Sequence, residues 1–173
     1  FGSEASSEYV IGSRRNIRNN KPIIGPYNVN KSGSGDMYAK GANLLHTLRQ
    51  LANDDDLWRN ILRGLNKEFF QQTVNTQQIE NYISEKMKMN LTPFFNQYLR
   101  DTRIPTLLYK YESNNLSFKW DNVVDDFTMP LEIISDGKTQ WIYPTKNWKK
   151  IELTQNKFKV DPNYYILSKE VKN

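Results

Sequence analysis

The sequence has no cysteine and a single histidine, His46, among its 173 residues. Lack of cysteine excludes a disulfide framework, a thiolate metal site and a thiol nucleophile. One imidazole cannot supply a two-histidine metal pair of the H-E-x-x-H kind, and any serine–histidine catalytic pair would rest on it alone. Apolar runs are short as well, and none approaches the roughly eighteen consecutive apolar residues of a membrane-spanning helix. No basic, apolar and small-residue succession opens the chain as in a signal peptide; because it starts at Phe1 without an initiator methionine, leader sequences stay an open matter. The net charge is +5, but Lys and Arg are dispersed rather than collected in a block, so the excess reads as solvated surface and no nucleic-acid partner is expected. Absence of cysteine suits a bacterial cytoplasm and a periplasm alike and leaves location open.

What is present is the composition of a folded protein. Hydrophobic residues make up 38% and charged residues 25%, enough apolar material for one ordinary domain or two small ones. Ten Tyr and four Trp mean that large amphipathic rings build much of the core or its interfaces.

Residues 1–35 show weak periodicity and end in Gly-, Pro-, Ser- and Asn-rich sequence, which reads as a long ordered loop. From Asp36 onward Met37, Gly41, Leu44, Leu45, Leu48, Leu51 and Ala52 recur at three- and four-residue steps, predicting a helix with one buried face and Asp36 as its N-cap. Asn53, Asp54, Asp55 and Asp56 place caps and negative charge at the start of a second helix striped with Leu57, Trp58, Ile61, Leu62, Leu65 and Phe69. Thr76 precedes a third stripe of Ile79, Tyr82, Ile83 and Met87. Thr92 and Pro93 open a fourth with Phe94, Phe95, Tyr98 and Leu99.

After Ile104-Pro105 the period changes to two. The runs LLYKY, LSFKW, MPLEII, TQWIY and YYIL, separated by SNN, SDG and DPN turns, predict six or seven short strands. The fold class is therefore α+β: a helical portion over residues 1–104, followed by a small antiparallel β-sandwich over 105–173.

Few residues offer chemistry by themselves. His46 lies one position off the leucine stripe and reads as a partly exposed helix-flank histidine with one or two hydrogen bonds. Asp54, Asp55 and Asp56 point in different directions on a helix, so capping explains them better than a cation site. The glycines of KSGSGD lack the G-K-[ST] that a phosphate cradle needs, and turning sharply before a helix is reason enough for them.

Several segments together point further. GDMYAKGANLLHTLRQL, from Gly35 to Leu51, resembles the Y-x-K-G-a helix of zinc aminopeptidases of the aminopeptidase N family. Trp58 to Met87 is similar to the two helices that follow it in that family, and LTPFFNQYLRDTRIPTLLYKY to the exit from the catalytic domain. FTMPLEI and VDPNYYIL are similar to landmarks of the β-sandwich beyond it. The resemblance implies the C-terminal part of a thermolysin-like catalytic domain and the sandwich after it. In that family an H-E-x-x-H helix and a downstream glutamate hold zinc, and a G-x-M-E-N-type loop binds the substrate's free amine; none of these motifs is in this sequence.

One catalytic position carries over by the resemblance, Tyr38, whose phenol would donate a hydrogen bond to the oxyanion formed on the scissile carbonyl. A phenol is a neutral donor, and a donor aimed at developing negative charge in a dry site is worth about 3–4 kcal/mol. Taken without the resemblance, Tyr38 reads as a core aromatic at a helix start, and Gly41 as a residue that lets the helix pack closely on a neighbour. The implied parent is a zinc-dependent aminopeptidase acting on peptide substrates, its zinc held by a missing N-terminal part of the same protein, with this chain inactive alone. A non-catalytic peptide-binding or assembly module of the same fold is the alternative. A third reading takes Trp120, Trp141 and Trp148 as stacking platforms for an oligonucleotide or sugar.

One histidine and scattered carboxylates do not make the three-ligand site that catalytic zinc requires. The isolated chain is therefore expected to retain no stoichiometric zinc after dialysis, as measured by metal analysis; one zinc per chain would overturn this reading of its donors.

Overall fold

The computed structural model describes residues 2–135, 137–153 and 157–172; Asp136, in the expected SDG turn, lies outside them. Among these residues five helices precede seven strands, an α+β arrangement. The helices are α1 (Gly2–Gly12), α2 (Ala39–Ala52), α3 (Asp55–Glu68), α4 (Thr76–Met87) and α5 (Thr92–Arg100). None is long and apolar enough to cross a membrane.

Where a loop was expected at the start, α1 is a helix followed by a 3-10 turn over Ser13–Asn16. No residue of α1 is buried, so it has no apolar stripe to betray it in the sequence. Polar contacts hold it instead. The buried Asn43 amide of α2 donates to the Val10 carbonyl at 3.1 Å and to Ser13 Oγ at 3.0 Å, and accepts from Arg14 Nε at 2.7 Å.

The buried face of α2 consists of Lys40, Asn43, Leu44, Thr47, Leu48 and Leu51, with His46 at its edge. Leu45, counted in the expected apolar stripe, is 43% exposed. The face is rotated toward polar residues because Asn43, Thr47 and His46 are bonded to other segments. At α3 the expected cap is present: Asp54 accepts from the Asp56 and Leu57 amides, both at 2.9 Å. Asn75 caps α4 and forms a reciprocal capping box with Gln78. Pro93 lies in the first turn of α5, but Asn90, not Thr92, supplies the side-chain acceptor, taking the Thr92 amide at 3.2 Å.

The strands are β1 (Thr106–Glu112), β2 (Asn115–Asp121), β3 (Leu131–Ser135), β4 (Lys138–Ile142), β5 (Lys149–Glu152), β6 (Phe158–Val160) and β7 (Leu167–Glu170). They form a four-stranded sheet, β5-β2-β1-β7, and a three-stranded sheet, β4-β3-β6. Leu107, Leu116, Phe118 and Trp120 of the first sheet share a core with Leu131, Ile133 and Ile142 of the second. Trp120 Nε1 donates to the Met129 carbonyl at 3.1 Å, and Phe127 meets its ring edge-on at 5.4 Å. The same hydrophobic cluster continues into Leu48, Phe94, Phe95 and Tyr98 of the helices.

The sandwich is not wholly antiparallel, since β7 runs parallel to β1, with Thr106 opposite Leu167. The YYIL run expected as a strand is mostly a connection for the same reason. After β6 the chain leaves the sheets through Asp161–Tyr165, crosses the helices and re-enters beside the start of β1, where the Leu167 amide donates to the Pro105 carbonyl at 2.9 Å. Four side chains hold that crossing. His46 Nε2 bonds Asn163 Oδ1 at 2.8 Å, Thr47 Oγ1 accepts the Tyr165 amide at 3.0 Å, the Tyr98 hydroxyl donates to the Tyr165 carbonyl at 2.8 Å, and Arg14 donates to the Asn163 carbonyl at 3.3 Å.

Between the last helix and the first strand, the buried Gln97 donates to the Arg103 carbonyl at 2.8 Å and accepts the Val124 amide at 2.7 Å. Asp101 pairs with Arg103 at 2.6 Å. On the outside of α4 and α5, Arg100 grips the buried Glu80 carboxylate through two bonds, of 2.7 and 3.2 Å.

Tyr98→Phe leaves the Tyr165 carbonyl without its buried donor and is expected to cost about 1–3 kcal/mol, the penalty of an unsatisfied buried acceptor. Thermal melting should register this as a lower midpoint, and an unchanged midpoint would show that the bond does not hold the crossing. The Asp101 carboxyl is held below its ordinary value of 3.8, chiefly by the Arg103 guanidinium and further by the Arg103 and Thr102 amides. A depressed carboxylate contributes stability above its unfolded value and loses it as pH falls through the folded one. The stability gap between the unaltered chain and Arg103→Met should therefore be larger near neutrality than in strong acid, as denaturant titrations at about pH 6 and about pH 2 would show.

Candidate functional site

The start of α2 is built by short-range capping and by two long-range anchors. A 3-10 turn over Gly35–Met37 is capped by Ser34, whose Oγ accepts the Asp36 amide at 3.2 Å and donates to Asn20 Oδ1 at 3.0 Å. Asp36 is therefore not the N-cap of the helix. Its carboxylate is buried, 3% exposed, and reaches back to accept the Arg18 amide at 3.0 Å and the Asn19 amide at 2.6 Å. The Tyr38 carbonyl then accepts the Ala42 amide at 2.9 Å, the first bond of the α-helical ladder.

Lys40 is the second anchor. At 1% exposure it is enclosed, and its ammonium donates to the Asp101 carbonyl, at the end of α5, at 2.9 Å. Burial pushes this lysine below its ordinary value of 10.5, and the carboxylates of Asp36 and Asp101 oppose the shift. Sequence patterning assigns Lys40 no role and Asp36 only that of a helix cap. A signal was available: Lys40 stands four residues before Leu44, eight before Leu48 and eleven before Leu51, on the face that turns inward.

Tyr38 lies between these two buried residues and is itself 81% exposed. The packing alternative, a core ring at a helix start, is not what the structure has. Gly41 does not permit a close approach within the chain either, since a Cβ added there would meet nothing within 4 Å. Close approach explains Gly33 of the KSGSG stretch, where a Cβ would lie 1.8 Å from the Ile23 carbonyl oxygen. This part of the loop folds back on itself, with the Ser34 amide bonded to the Pro22 carbonyl at 3.0 Å.

The remaining candidates are structural. His46 is 8% exposed, not a partly exposed flank residue, because the Asp161–Tyr165 crossing lies over it. Asp54 is a cap, Asp55 pairs with Arg49 at 2.7 Å and Asp56 with Arg59 at 2.6 Å. Trp120 is a core residue, and the exposed Trp148 faces the ammonium groups of Lys110 and Lys119 at 5.3 and 5.2 Å. Among the described residues no group of three or more His, Asp or Glu is arranged to hold a metal ion. An apolar cleft lined by Leu51, Leu91, Phe94, Met129 and Tyr143 includes none of these candidates.

No family model matches the chain, and no curated protein matches it. Solved structures do match in fold. One of them is the crystal structure of Legionella pneumophila aminopeptidase A in complex with aspartic acid, similar at a TM-score of 0.58 and 13% sequence identity over 96% of this chain. The chain spans 22% of the length of that protein. At this identity the likeness is one of fold alone.

Proposed function

We propose that this chain is part of a longer zinc-dependent aminopeptidase that removes N-terminal residues from peptides, to which it contributes Tyr38 and one wall of the active site. On this reading it is inactive alone. Residues 1–104 belong to the catalytic domain, and 105–173 form the sandwich beyond it. The observation that carries the proposal is the exposure of Tyr38 on a backbone fixed from both sides, in a fold similar to part of an aminopeptidase.

The chain's own donors do not fit a zinc site, with one histidine, no cysteine and no suitable carboxylate group among the described residues. The metal belongs to the rest of the longer protein, and the chemistry assigned to this chain is that of the phenol alone. As a nucleophile adds to the scissile carbonyl, the carbonyl oxygen gains negative charge. A neutral hydroxyl held toward that oxygen strengthens its hydrogen bond as the charge grows, so it lowers the transition state more than the ground state. A tyrosine ring suits this, because it carries the donor well clear of the backbone with few rotatable bonds and adds no charge of its own.

In the full-length parent, Tyr38→Phe should lower kcat by about 100- to 1,000-fold and leave KM within a few fold, as loss of an oxyanion donor does. In the chain by itself the melting temperature should not move, because there the lost hydroxyl is on an exposed ring. Steady-state kinetics on an aminoacyl reporter, at equal zinc content, provides the measurement. Unchanged turnover would remove the catalytic role and favour a peptide-binding module of the same fold.

A further inference from the structure

Lys40 is placed where it costs stability. It is a buried cation in the first turn of α2, where the helix presents its positive end, and its partner is a neutral carbonyl rather than a carboxylate. Asp36, buried on the other side of Tyr38, spends its carboxylate on two backbone amides of the 18–19 segment. Each side chain thus ties the backbone beside Tyr38 to a distant part of the chain, Asp36 to residues eighteen and seventeen positions earlier and Lys40 to one sixty-one positions later. Tyr38 itself is not packed against the core and has no burial to fix its place.

We infer that Asp36 and Lys40 are positioning residues, which hold the backbone at Tyr38 rigid from two sides so that an exposed phenol is presented at a fixed point. The inference rests on the reading of Tyr38 as the oxyanion donor, and it assigns these buried charges to geometry rather than to stability. Neither touches the substrate. Their effect passes through Tyr38, and a misplacement of about 1 Å in a catalytic group is enough to lose about two orders of magnitude in rate.

The test has one arm that does not depend on activity. In the chain itself, ¹⁵N relaxation of the Tyr38 and Ala39 amides should give order parameters near 0.85 in the unaltered protein, falling toward about 0.6 in Lys40→Met and in Asp36→Asn. Lys40→Met removes a buried charge but also the donor to the Asp101 carbonyl, so the order parameters are read at a temperature well below the variant's own denaturation midpoint. Two variants are used so that poor folding of one leaves the other to decide. Order parameters that stay near 0.85 in a folded variant overturn the inference.

In the parent, Lys40→Met should lower kcat about 10- to 100-fold with KM nearly constant, yet cost less than about twofold when added to Tyr38→Phe, because both changes remove the same interaction. Full additivity of the two changes would overturn the positioning role. If Tyr38→Phe alone leaves kcat unchanged, the catalytic reading fails, while the order parameters still decide whether the two charges hold this backbone.

Discussion

Hydrogen bonds between the side chains of His46, Thr47, Tyr98 and Arg14 and the Asn163–Tyr165 segment are the constraint on which most of this architecture depends. They join residues more than sixty positions apart in every case, so each ties the helical part of the chain to its far end. Because the crossing is fastened there, β7 is delivered beside the start of β1 and pairs with it in parallel. The polar side of α2 must face the crossing, and this rotates Leu45 outward and encloses the lone histidine. Arg14 and Asn43 extend the same network to α1, a helix with no fully buried residue of its own.

A polar joint of this kind is exacting. Inside a protein each unmade bond costs about 1–3 kcal/mol, so the segments meet in one register or not at all. The apolar cores of the sandwich and of the helices supply the bulk of the driving force, whereas the joint determines how they are set against each other. The same division holds around Tyr38. Leucines and phenylalanines of α2 and α5 make the core, and the buried charges of Asp36 and Lys40 decide where the first turn of α2 sits.

The elements that bury an apolar stripe were legible in the sequence: α2 through α5 are close to where Leu44, Trp58, Ile83 and Phe94 place them, and the change to period two after Pro105 marks the first strand. The cap at Asp54 was legible because it acts within three residues. What escaped is what depends on distant polar partners. Periodicity cannot see α1, whose contacts run through Asn43; it cannot foresee that Asp36 serves residues 18 and 19 instead of its own helix, nor that Tyr164 and Tyr165 belong to a crossing rather than a strand. Tyr38 was picked out by resemblance alone, and the residues that fix its backbone only by the coordinates.

The central claim is that the Tyr38 phenol meets a carbonyl oxygen as it becomes an oxyanion. The most direct measurement compares, by calorimetric titration of the full-length parent and its Tyr38→Phe variant, a tetrahedral phosphinic pseudopeptide with a free amine and a product-like peptide of the same side chains. If the phenol recognises the tetrahedral oxyanion, the variant should bind the phosphinic ligand about 100-fold more weakly and the product-like peptide within a few fold of the unaltered protein. Equal weakening of both ligands, or of neither, would contradict the claim.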